Sequence, residues 1–278
     1  MSRTRHNTLL DPNPMMNRAI NREYEVTNEQ YATYFGITVK TAFFLLMTVV
    51  GMVCYYMAQI TRFRYQTQID GLNYEGFQFT ISVEQLLTLG AATIILIISQ
   101  LLASFIPSTI PVTGTIYSVS QGVLLSGIIF TFLGGEHMEY LGLLALIITV
   151  IVVASMALLY TKGIIKVDHK FKAVLMTIMI SMIVLGAVML ICSFIPGLNV
   201  LVGAILNNFW VSLAISLLSL VVAALFLVSE FAVMDEVVTY NMSVKYEWPV
   251  AFGLAYAILW IYIKVLQIIV KIFGRNKD

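Results

Sequence analysis

A chain of 278 residues that is 59% apolar, 11% charged and balanced to a net charge of +1 departs from soluble domains, which run about 45–50% apolar and about 25% charged. It has too little polar surface to cover itself in water and too much apolar surface to stay disordered, and its near-neutral charge excludes a nucleic-acid partner held by a basic face. What is left is an all-α polytopic protein whose main partner is the lipid bilayer.

A spanning helix needs about 20 apolar residues, so charge-free runs mark the spans. The first 36 residues mix Arg3, Arg5, Arg18 and Arg22 with Asp11, Glu23, Glu25 and Glu29. They hold no apolar stretch of signal-peptide length and read as a retained tail. Residues 41–61 form a first span, opened by Gly36, Lys40 and Thr41. Residues 85–135 are too long for one helix and are interrupted by Pro107, Pro111 and Gly114, which gives a second and a third span. Residues 140–161 form a fourth. Residues 173–229, broken near Pro196, Gly197 and Asn199, give a fifth and a sixth. The last run starts at Trp248 and Pro249 and continues to Phe273 with one charge inside it, Lys264. The spacing therefore predicts a tail over 1–36, a seven-helix domain over 37–273 and a short basic tail over 274–278.

Orientation follows from basic residues in short loops. Lys162, Lys166, Lys170 and Lys172, between the fourth and fifth spans, are expected in the cytoplasm. That places the N-terminus there too and the acidic Glu136–Glu139 loop on the other side of the cell membrane. Seven crossings then carry Lys271, Arg275 and Lys277 outside, against the rule. Either the tail is a tolerated exception or the last segment is re-entrant. One internal echo, Ser104-Phe-Ile-Pro107 and Ser193-Phe-Ile-Pro196, falls on spans of opposite direction, as in an inverted repeat of two three-helix units; its plain reading is that Ser and Pro mark two helix ends.

Several residues stand out for chemistry. Gly114, Ser118, Gly122 and Ser126 recur at steps of four on the third span; such a ladder lets a neighbouring backbone approach, and its plain reading is tight packing. Gln121 beside it brings an amide into hydrocarbon and needs an interior partner. Glu230 closes the 57-residue uncharged stretch, followed by Asp235 and Glu236, while Lys264 interrupts the final helix. Ionisable groups within membranes are expensive and usually face the protein interior with a partner; Asp235 and Glu236, past the run, read as solvated. His6, His137 and His169 lie outside the apolar runs, Cys54 and Cys192 within them, and no HExxH, CxxC or phosphate-binding loop occurs. Neither a serine–histidine pair nor a metal triad lies in the membrane, so no enzyme, metal centre or cofactor is expected.

Counting from the turn between the last two spans, Glu230 lies about 16 Å deep and Lys264 about 22 Å deep at 1.5 Å per residue, a gap of about 6 Å that a leaning lysine stem covers. The two are expected to pair; the alternative is that Glu230 is an interfacial acid ending the sixth helix while Lys264 snorkels to water.

The chain resembles a bacterial member of the Bax inhibitor-1 family, in its longer YccA-like branch. The likeness rests on Asn13-Pro14-Met-Met-Asn-Arg18, Gly36-Ile-Thr-Val-Lys40-Thr41, Gln121-Gly122-Val-Leu-Leu-Ser-Gly127 and Tyr160-Thr-Lys-Gly163-Ile-Ile-Lys-Val167. It continues in Leu227-Val-Ser-Glu230-Phe-Ala-Val-Met-Asp235, Glu247-Trp248, Ala251-Phe-Gly253 and Trp260-Ile-Tyr262. The resemblance implies two groups of three helices around a central last helix. It also implies an ion leak, chiefly of calcium, gated by protonation of acids on the sixth and seventh helices, and ties to stress protection and to the modulation of membrane proteases. Glu230 falls on the first of those acid positions, but Lys264 stands on the second with the sign reversed. Gln121 replaces a glutamate of the longer members, and Gln100 stands where a latch-forming arginine is expected.

Two close carboxylates in low dielectric share a proton and form a pH switch. A glutamate facing a lysine is instead a fixed pair. The expectation is therefore a leak pathway, or a degenerate form in which a Glu230–Lys264 pair keeps the gate shut. The alternative is a non-conducting regulator.

Overall fold

The computed structural model describes residues 30–70, 83–133 and 139–274. The tail up to residue 29, the acidic loop at 134–138 and residues 275–278 lie outside the described residues, and so do the readings placed on them. The helices are α1 (Tyr34–Asp70), α2 (Val83–Phe105), α3 (Ile110–Leu133), α4 (Glu139–Thr161), α5 (His169–Phe194), α6 (Leu198–Asn207), α7 (Phe209–Thr239) and α8 (Glu247–Gly274). Seven are long and apolar enough to cross a membrane; α6, with 10 residues, is too short.

Local chemistry sets the helix ends. Asp168 begins α5 by accepting a hydrogen bond from the Phe171 amide at 2.8 Å, which satisfies one of the free N–H groups of the first turn. The two Ser-Phe-Ile-Pro segments both end a helix at their phenylalanine, α2 at Phe105 and α5 at Phe194. After Pro196 the chain turns at Gly197, whose φ of +91° suits glycine. The sixth span begins later than Asn199, at Phe209, because Asn208 is extended and caps α7 through the Val211 amide at 3.2 Å. The chain between the two breaks coils into α6. The final helix runs unbroken for 28 residues, with no re-entrant turn in it.

Helices α1 and α2 pack on α3, and α4 and α5 pack on α7. The last helix, α8, lies between the two groups, against α7, α1, α4 and α3. Its position follows from its composition: Ala251, Ala255 and Ala257 keep the backbone thin where neighbours cross, and with Leu254, Ile261 and Val265 they are buried. At the α1–α3 crossing a Cβ on Gly122 would strike the Thr48 carbonyl, and one on Gly51 would strike the Val119 carbonyl; Gly114 faces the rings of Phe44 and Phe252. Ser118 and Ser126 of the same ladder are buried. By contrast α5 is almost wholly exposed along its apolar length, as a lipid-facing helix must be.

Candidate functional site

Two acids on the last two helices each lie against a glycine of a neighbouring helix, in different surroundings. Glu247 opens α8 and is 3% exposed. Its carboxylate fills the space where a Cβ of Gly36 on α1 would sit. It accepts from the Thr33 amide at 2.8 Å and the Thr33 hydroxyl at 3.2 Å, and pairs with Lys40 Nζ at 2.5 Å. Lys40 in turn stands 5.0 Å over the Trp248 ring. The segment before α1 continues the attachment: the Ala32 amide donates to the Met242 carbonyl, and the Val244 amide to the Gln30 carbonyl, both at 2.8 Å. These contacts clasp the start of α1 to the α7–α8 connection.

Glu230, on α7, is half-buried. Its carboxylate lies against Gly253 of α8, whose missing side chain leaves room for it. No ion pair reaches it among the described residues. It lines an open cavity of about 380 Å³ between α2, α5, α7 and α8, with Gln100 and Ser104 on one side and the aromatic residues Phe226, Phe252 and Tyr256. Gln100 Oε1 is buried without a hydrogen-bond partner among the described residues. The position where the resemblance leads one to expect an arginine thus carries a glutamine that lines the same cavity as the α7 acid.

The expected Glu230–Lys264 pair is not formed among the described residues. Lys264 is half-buried and donates to Gln267 Oε1 at 3.2 Å. The α7–α8 register brings Glu230 to Gly253, eleven residues before Lys264, which is about 16 Å at 1.5 Å per residue. Counting from the turn failed because α7 stops at Thr239, whereas α8 starts at Glu247 after its own 3-10 turn; the earlier end of α7 and the earlier start of α8 both move Glu230 and Lys264 further apart in depth. The expected gap of about 6 Å, roughly one turn, is about 16 Å, roughly three turns, so the depth was wrong by about two turns. Gly253, Tyr256, Trp260, Lys264, Gln267 and Lys271 follow one another at steps of three and four, so they share one stripe of α8, less buried than the rest of the helix. At its far end Lys271 Nζ donates to the Ser212 carbonyl at 2.9 Å and to Ser216 Oγ at 2.6 Å.

Asp235 is exposed near the end of α7 and accepts from the hydroxyls of Tyr34 and Tyr160, bridging α1 and α4; Glu236 pairs with Lys172 at 3.3 Å on the surface. Gln121 is 9% exposed on α3 and is not among the residues of the Glu230 cavity. The Lys40–Glu247 clasp was not anticipated, since its partners are 207 residues apart. The available signal was that two oppositely charged residues open the first and last spans, which begin on the same side of any seven-span bundle.

Helix number, apolar length and the central position of α8 define a multi-pass α-helical membrane protein. The family model described as Bax inhibitor 1 like matches residues 13–274, nearly the whole chain. The chain belongs to that family. Comparison with curated proteins and with solved structures finds no match.

Proposed function

We propose that this protein is a non-enzymatic cation leak pathway of the cell membrane, for protons or calcium, held in a closed state. The observation that carries the reading is the unpaired Glu230 carboxylate at a cavity between the two three-helix groups, continued by the stripe of less buried residues along α8. A membrane interior accepts an acid at such cost that function is the default explanation for it. Beyond Glu230 the stripe narrows at an aromatic cluster, where Phe226 lies 6.2 Å from Tyr256 and 6.0 Å from Trp260 between ring centroids. Opening requires those rings to part. The N-terminus is assigned to the cytoplasm from the lysines that flank α4 and α5, so the cavity belongs to the cytoplasmic half.

Liposomes holding the purified chain, with a calcium dye or a pH dye inside, test the reading. Flux above that of empty liposomes that falls at least tenfold in Glu230→Gln is expected; wild-type liposomes no leakier than empty ones would overturn it.

Lys264 and Lys271 favour a second reading. Two cations on the far half of the stripe oppose a divalent ion, which suits a non-conducting relative that regulates other membrane proteins, proteases among them, as part of a stress response. Co-purification of such a partner with a flux-silent protein would select it.

A further inference from the structure

We infer that the Glu230 cavity binds a small primary ammonium ion, with its three N–H donors shared among Glu230, Gln100 and Ser104. The inference rests on the reading of Glu230 as a reachable, unpaired acid, and goes beyond it by naming the ligand class.

Three features of the cavity converge. The first is charge. Among the described residues its lining holds one carboxylate and no Lys, Arg or His, and the nearest lysine along the facing stripe, Lys264, lies about 16 Å beyond Gly253 at 1.5 Å per residue. One positive charge balances this site and two would exceed it. The second is hydrogen bonding. Gln100 Oε1 is an acceptor with no donor among the described residues, closed off as the side chain stands, and a ligand reaches it when the amide turns into the cavity. Ser104 spends its hydroxyl proton on the Gln100 carbonyl at 2.8 Å, so only its lone pairs remain for a ligand. With the Glu230 carboxylate these make three acceptors, and a primary ammonium carries three donors and no acceptor. The third is the aromatic lining of Phe226, Phe252 and Tyr256, whose ring faces attract cations.

The same inventory disfavours a divalent metal ion as resident ligand. Calcium takes 6–8 oxygens, usually several of them carboxylate, and among the described residues no three His, Cys, Asp or Glu side chains gather to hold a metal. The volume of about 380 Å³ lies in the range of small-molecule sites, and Ala103 and Met179 supply apolar wall for a hydrocarbon arm.

Calorimetry on the full chain in lipid nanodiscs, with no ion gradient, tests the site. The probes are 2-phenylethylammonium, the uncharged 2-phenylethanol, the donor-free trimethyl derivative of the amine, and calcium. Saturable binding of the amine is expected, weakened about tenfold or more in the alcohol and in Glu230→Gln, as the loss of a charged hydrogen bond demands. The trimethyl probe and Gln100→Leu should each show a smaller loss, and Gln100→Leu serves as the reporter if Glu230→Gln does not fold. Equal binding of amine and alcohol, amine binding untouched by both substitutions, or displacement of the amine by micromolar calcium would overturn the inference. Binding without flux would leave the ammonium site standing and remove the leak, and flux without binding would do the reverse.

Discussion

Glu247 and Glu230 are both acids facing a glycine across a helix–helix contact, yet one is clasped and the other is not. Glu247 receives a lysine, a backbone amide and a hydroxyl, and each lone pair so used offsets part of the cost of burying the charge. Among the described residues Glu230 meets a cavity and no cation. The difference separates two surroundings of the same residue type in one protein: a satisfied acid fixes the position of two helices, while an unsatisfied one, on the proposed reading, waits for a ligand or a proton.

The largest expected effect breaks the clasp. Lys40→Met strands Glu247 as a buried unpaired carboxylate and should cost about 3–5 kcal/mol, read as a fall in the thermal unfolding midpoint in detergent. Next comes a pair of glycines. Gly36→Ala drives a methyl into the Glu247 carboxylate, which its three partners hold in place, and should cost about 1–3 kcal/mol as overpacking does. Gly253→Ala should cost less, because the Glu230 carboxylate has a cavity into which to swing. Equal losses in the two variants, measured side by side, would erase the distinction. Removing the charge of Glu230 has the opposite sign: Glu230→Gln should leave the midpoint unchanged or raise stability by about 1 kcal/mol, since an unpaired acid opposes burial, whereas Glu247→Gln should lower it. The smallest effect belongs to Asp235→Asn, which keeps an acceptor for the exposed Tyr34 and Tyr160 hydroxyls and should shift stability by less than about 0.5 kcal/mol.

The seven spans were legible because charge is so costly in hydrocarbon that its absence outlines each helix, and Pro107 and Pro196 divided the long runs. The start of α7 was not, because a cap such as Asn208 is a single polar residue in an apolar run and competes with the stronger Pro196-Gly197 signal twelve residues earlier. Glu230 stood out as an acid closing a 57-residue neutral stretch. The residue it meets, Gly253, did not, because the register between antiparallel helices depends on the connection between them, and that from Tyr240 to Tyr246, with Asn241 at φ +49°, offsets them by an amount no periodicity encodes. The α8 stripe was present in the spacing of Gly253, Tyr256, Trp260, Lys264, Gln267 and Lys271. Read as a face, it would have shown that Lys264 shares the side of α8 that Glu230 meets, though not its depth.

Two double-mutant cycles on thermal stability, Lys40 with Glu247 and Glu230 with Lys264, put the contrast to its most direct test. A coupling of about 2 kcal/mol or more is expected for the first pair and one within about 0.5 kcal/mol of zero for the second, the range of independent sites. A strong Glu230–Lys264 coupling would contradict the unpaired acid, and with it the ligand-ready cavity.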